Sequence, residues 1–269
     1  MIRAALIFAS AAASAASDAE LRRDGVPVLR MPPGQLEKEL RLGDGFPFKP
    51  FSDAYVKKAK ATPTNWTAAG AVTPVKDQGP HGYCGTFGRV GAAEGQYALR
   101  GPSKKAISFS EEELVDCIGW DQDQFSYFQP KGFMTSEAYP YNETAYPDQD
   151  PPIPGNPCKY DATQVVKGTG AGAFTNWTGA APSEDQLLAF LHHNGPVQTG
   201  IDSDVFGLRA KGCEATGDCW ITKAMCAQVK NKPIDHSILL VGYGTDPVQG
   251  DFCELLRFAA PPPPHRAQP

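Results

Sequence analysis

Beyond the first twenty residues, no stretch of the sequence is long and apolar enough to cross a bilayer. Basic charge is not in excess: 25 Lys and Arg stand against 30 Asp and Glu, for a formal net charge of −5. Neither nucleic acid nor an anionic membrane surface is therefore an expected partner. No segment repeats, which argues against repeat architectures. The 25 prolines and 27 glycines leave little room for long helices and demand many turns. Asparagine is missing from the last part of the chain, with none after Asn231.

What is present suits an exported protein of one large or two small domains. The opening MIRAALIFASAAASAASDAE has the make-up of a secretory signal over residues 1–17. Arg3 supplies the basic start, Ala4 to Ala16 the apolar core, and ASAAS the small residues for cleavage. The alternative is an unordered Ala-rich start. Asn65, Asn142 and Asn176 each begin an N-x-T sequon. Cysteine occurs seven times, and an odd count in an oxidising compartment implies a free, reactive thiol.

Residues 18–63 mix a charged stretch of helical character, GQLEKELRLG, with Pro-rich linkers. A denser region begins at Pro63-Thr64-Asn65-Trp66. Helical spacing of Phe87, Val90, Ala93/Glu94 and Tyr97 predicts a helix over Cys84 to Arg100. Gly85, Gly88, Gly91 and Gly95 each oppose it by roughly 1 kcal/mol, although their spacing permits close packing against another element. SFSEEELVDC predicts a second helix, with Ser110 as N-cap and Glu113 as capping-box partner. SEDQLLAFLHHNG predicts a third, Ser183 to His193, stopped by Asn194-Gly195. PVQTGID and SILLVGYG read as strands. Helices early and strands late predict an α+β protein with two segregated subdomains. After Tyr243-Gly244 the order breaks, and four consecutive prolines cannot join a sheet.

The stretch VKDQGPHGYCGTF carries the clearest chemistry. A Cys at a helix N-terminus sits among N–H groups and a dipole that favour thiolate. A thiolate nucleophile needs a proton partner, usually His. Acyl transfer also needs two donors for its oxyanion. The turn through Gly79 and Gly82 can return the Gln78 side chain to the thiol, giving one donor, and the Cys84 N–H gives the other. A structural Cys in a helix after a Gly-rich turn has the same local sequence.

At this point the sequence resembles the papain-like cysteine peptidases, the cathepsin group. NWTAAGAVTPVKDQG resembles the start of the mature enzyme, and QGPHGYCGTF stands where the family has Q-G-x-C-G-S-C-W-A-F. Glu94-Gly95, SFSEEELVDC, SEAYPY, CKY, GPVQTGID and PIDHSILLVGYG follow in the family's order. Several motifs in one order are far more specific than any single match. The resemblance implies Cys84 as nucleophile, His236 as general base and acid, and Gln78 as oxyanion-hole donor. Cys84 and His236 are 152 residues apart, close to the family's spacing. It implies a papain-like two-subdomain fold with the cleft between a helical and a β-rich half, a Cys117–Cys158 disulfide, and no cofactor or metal. The expected partners are polypeptide substrates and inhibitors of the cystatin type, for a monomer in the lysosome, vacuole or outside the cell. His81, His192, His193 and His265 take no part in the chemistry; His192 and His193 close a helix, where cations suit the dipole.

The pattern also departs from the family. The Asn of N-S-W-G, which orients the imidazole, has no counterpart, and the Trp beside it, which shields the pair, is missing too. Asp246, Gln249 and Asp251 are the candidate replacements, with nothing to choose between them. Gly85 stands in place of the Trp after the nucleophile and His81 in place of a disulfide Cys. The CNGG segment between Cys117 and Phe133 is missing. DFCELLRFAAPPPP stands where the closing strands belong, so those strands are expected to be absent. A frameshift, retained intron or truncation would account for this. The expected organisation is signal 1–17, pro-segment or lead-in 18–63, peptidase domain 64–245 and Pro-rich tail 246–269. Cys213, Cys219, Cys226 and Cys253 have no assigned pairing, and their spacings with His236 match no usual zinc pattern.

Overall fold

A glycine-spaced helix lies between a helical layer and an antiparallel sheet in the computed structural model, which describes residues 50–79, 82–119, 124–142, 156–170, 182–203, 234–248 and 250–256. In chain order the elements are α1 (Asp53–Lys60), β1 (Thr64–Asn65), α2 (Cys84–Arg100), α3 (Glu111–Cys117), α4 (Gln124–Lys131), α5 (Glu184–Asn194), β2 (Val197–Ile201), β3 (His236–Asp246) and β4 (Gly250–Leu256). The signal, the GQLEKELRLG stretch, His81, Asn176, Cys213, Cys219, Cys226, Gln249, His265 and the prolines near the end lie outside the described residues.

The central helix α2 has the predicted bounds despite its glycines. One side carries Val90, Ala93 and Tyr97 into a cluster with Phe109, Leu114, Phe125, Tyr127, Phe128 and Phe133. The other side uses its missing side chains to approach β2 and β3. A Cβ on Gly95, for example, would stand 2.5 Å from the Pro196 ring. Close packing thus offsets the intrinsic cost of glycine in a helix.

Local signals also set α3 and α5. The Ser110 hydroxyl accepts from Glu113 N at 2.9 Å and donates to Tyr139 O at 2.6 Å. The capping box is only half formed, which corrects the expectation for Glu113. Ser110 N donates to Met134 O, and Glu113 Oε2 instead accepts from Met134 N at 2.8 Å. Tertiary pairing with a neighbouring segment has taken both groups. Ser183 caps α5 through Gln186 N, and Gly195, at φ +96°, ends it. Cys117 and Cys158 form a disulfide, as the resemblance implied.

Strand β3 is the hub of the sheet. It pairs antiparallel with β2 from Val197↔Leu240 to Ile201↔His236, with β1 at Thr64↔Tyr243 and Asn65↔Gly242, and with β4 from Leu239↔Leu256 to Asp246↔Gly250. One face of β3 sets Leu239 and Val241 against Tyr83, Cys84 and Phe87. The other sets Ile238 and Leu240 against Leu191 of α5. The α+β expectation holds, with an exchange between halves: β1, from the helical half, joins the sheet, and α5 packs behind it.

Two expectations change. The segment after Tyr243-Gly244 does not leave the fold, because Gly250–Leu256 is a strand of the sheet. Cys253 and Leu255 give it one partly buried face, against the Leu191 cluster, and Phe252 is half-buried on the other. The lead-in also ends within the body. Val56 and Ala59 of α1 pack on Ala189, and the Tyr243 hydroxyl donates to Ala59 O at 2.7 Å.

Candidate active site

Cys84 is the first residue of α2, and the Tyr83 side chain makes no cap bond to that end of the helix. The thiol is buried with Leu239 and Val241 of β3. Upstream, Asp77 Oδ1 accepts from Gly79 N at 2.9 Å, and Gly79 sits at φ +64°. This tight turn requires the left-handed backbone that glycine adopts without strain. Gln78 within it is buried, and its carbonyl accepts from the Tyr141 hydroxyl at 2.8 Å.

The root of that turn is held by Lys76. Its ammonium donates to Glu94 Oε1 at 2.6 Å, Glu111 Oε1 at 2.6 Å and Phe109 O at 3.0 Å. Glu94 also accepts from Phe109 N at 2.7 Å. One cation thus joins the Gln78 loop to α2 and α3. Burial pushes the Glu111 carboxyl up, outweighing the pull of Lys76.

His236 opens β3 and is buried. The residue before it, Asp235, accepts from Ser203 N at 2.7 Å and from the Ser203 hydroxyl at 3.0 Å. These bonds tie the approach to β3 to the end of β2. Gln198 of β2 reaches across to α2: its Nε2 donates to Gly85 O at 3.3 Å and to the Ser237 hydroxyl at 3.0 Å. The fold therefore sets the helix that Cys84 opens directly against the strand that His236 opens.

Two of the candidate replacements for the orienting Asn, Asp246 and Asp251, are not at this junction. Asp246 is the last residue of β3, ten positions from His236, which is about 30 Å along a strand. Asp251 pairs with Thr245 at the same distant end, where its carboxylate accepts from the Thr245 hydroxyl at 2.8 Å. Both fail on distance. His192 and His193 are also remote from Cys84, at the far end of α5. They do more than face a dipole: His192 Nδ1 meets the Tyr243 hydroxyl at 2.9 Å and Thr64 Oγ1 at 3.0 Å, and His193 meets the Tyr55 hydroxyl at 3.3 Å. Burial holds both imidazoles below their ordinary value. Lys76, Glu94, Glu111, Gln198 and Ser237 were not selected from the sequence. Glu94, Gln198 and Ser237 stand inside otherwise apolar or glycine-rich runs, whereas Lys76 and Glu111 lie in polar stretches that give no such signal.

A helix-borne thiol seated on an antiparallel sheet, whose longest strand opens with a histidine, defines an α+β protein with a thiol-and-imidazole junction. Residues 61–252 match the model of the papain family cysteine proteases, and the chain belongs to that family. It is 33% identical over 213 residues to digestive cysteine proteinase 2 of Homarus americanus, covering 73% of this chain and 58% of that protein. It is 31% identical over 195 residues to procathepsin L of Felis catus, covering 68% of this chain and 51% of that one. The chain thus spans about half the length of the curated relatives it matches. Among solved structures, digestive procathepsin L 3 of the Tenebrio molitor larval midgut superposes with a TM-score of 0.55 at 26% identity, covering 83% of this chain and 67% of that one. The fold is papain-like.

Proposed function

We propose that the protein is a cysteine-type endopeptidase that cleaves polypeptides through Cys84 and His236. The observation that carries this reading is the junction itself: the helix opened by Cys84 packs against the strand opened by His236. The Gln78-Gly79 turn lies just upstream of the thiol.

The chemistry follows from those positions. The α2 N-terminus favours a thiolate, and transfer of the thiol proton to His236 gives a thiolate–imidazolium pair. The sulfur attacks a peptide carbonyl, and the oxyanion of the tetrahedral intermediate takes hydrogen bonds from the Gln78 amide and the Cys84 N–H. His236 then gives its proton to the leaving amine, which departs and leaves a thioester. Water, deprotonated by His236, hydrolyses that thioester and frees the thiol. No Asn follows Asn231 to orient the imidazole. A Cys–His pair without an orienting Asn turns over orders of magnitude more slowly than a complete triad, but not at zero. Cystatin-type inhibitors would occupy the same cleft. Export, a monomeric state and residence in a lysosome, vacuole or the exterior belong to the same reading.

An active-site-directed epoxide tests it. Covalent labelling of the folded chain that disappears in Cys84→Ala supports the peptidase. Labelling no faster than that of the unfolded chain overturns it. Peptide binding that survives Cys84→Ala would then identify a binding protein built on the papain fold.

A further inference from the structure

Gly88 occupies the first turns of α2, where an alanine would be the better helix former by about 1 kcal/mol. The reason for the glycine lies across the interface. A Cβ there would stand 2.7 Å from the Ser237 hydroxyl and 2.9 Å from Gln198 Cγ. The gap in the helix surface is filled by a polar side chain from the sheet. Gln198 enters it and its Nε2 bridges Gly85 O, one residue after Cys84, and the hydroxyl of Ser237, one residue after His236.

The chemistry of the partners fixes the orientation of the amide. Gly85 O can only accept, so the nitrogen must face it, and the same nitrogen has a second hydrogen for Ser237. Ser237 is fully buried and faces Gln198 from the adjoining strand, two places along from the Gln198↔Leu239 pair. The bridge thus spans the helical and β-rich halves beside both reacting residues.

Resting on the peptidase reading above, we propose that Gln198 is a positioning residue. Its amide locks the first turn of α2 to the start of β3 and so sets the Cys84–His236 separation. This side-chain clamp ties together the two elements that carry the reacting pair. Gly88 and Ser237 are its fitted partners, one by leaving space and the other by accepting.

The test measures the rate of Cys84 alkylation by iodoacetamide from about pH 4 to about pH 9, since thiolate formation sets the rate. It uses the full chain, Gln198→Ala, Gln198→Glu and Ser237→Ala, with the thermal midpoint of each recorded alongside. The wild-type profile should show thiolate at acid pH. Gln198→Ala should lose at least about tenfold in acid-side rate, as its pair drifts apart, and its profile should move toward that of an ordinary thiol. Ser237→Ala, which keeps the bond to Gly85, should fall between the two. Gln198→Glu, whose ionised carboxylate cannot donate to Gly85 O, should resemble the alanine variant at pH values above the titration of that carboxyl. A merely structural Gln198 would lower the midpoint and leave the profile in place. Profiles of folded Ser237→Ala and Gln198→Glu that superimpose on the wild type overturn the inference, whatever becomes of Gln198→Ala. A wild type no more reactive than its unfolded chain overturns the peptidase reading, and the positioning role with it.

Discussion

Lys76 is the residue whose loss should be felt most widely. It is the shared donor for two buried carboxylates on separate helices. Removing one partner of such a cluster leaves uncompensated buried charge. Lys76→Met is expected to lower stability by about 3–5 kcal/mol at alkaline pH, read as a urea midpoint. The loss should shrink in acid, where Glu111, already pushed up by burial, takes a proton and needs its cation less. Ser110 gives a smaller, local prediction. Its hydroxyl satisfies both Glu113 N and Tyr139 O inside the core. Ser110→Ala should cost about 1–2 kcal/mol in the same assay. The serine and its helix were legible from sequence. The second partner was not, because Tyr139 is 29 positions away.

Among the elements, the disulfide between the end of α3 and Cys158 closes a loop with a sequence separation of 41. Cys158→Ser is expected to cost about 2–5 kcal/mol in chemical denaturation, through the entropy regained by the unfolded chain. Strand β4 shows the limit of reading elements from sequence. GDFCELL carries no turn-bounded run of β-branched residues, and its pattern of Phe252, Cys253 and Leu255 is weak. It becomes a strand because β3 offers an edge from Leu239 to Asp246 with apolar positions to cover. Helices α2, α3 and α5, by contrast, were legible because caps and 3.6-residue spacing act within a few positions.

The whole molecule should be more stable in mild acid. Burial raises the Glu113 carboxyl from 4.5 to about 7 and pushes Glu111 up as well. The folded chain then holds protons that the unfolded chain has released, so stability falls as pH rises between about 4.5 and about 7. His192 and His193, lowered by burial, act in the opposite sense, and their contribution is lost as pH falls through the imidazole range. Their partial exposure keeps that contribution small. Urea midpoints should therefore be higher at about pH 5 than at about pH 7.5, and Glu113→Gln should reduce the difference. An unchanged difference in that variant would remove Glu113 as its source.

The sequence by itself determined the local features: three helices, two of them with their caps, two of the four described strands, and the ordered motifs that carry the family resemblance. Each of these is set by neighbours a few residues apart. Only the tertiary structure decided that β4 joins the sheet and that Asp246 and Asp251 lie at the wrong end of β3 to serve His236. It also decided that Glu113 turns to Met134 and that Gln198 bridges Gly85 and Ser237. Those outcomes depend on strand register and on side chains that meet across 21 to 113 positions. The energy of such a contact exists only once both segments are in place, so no window of sequence contains it.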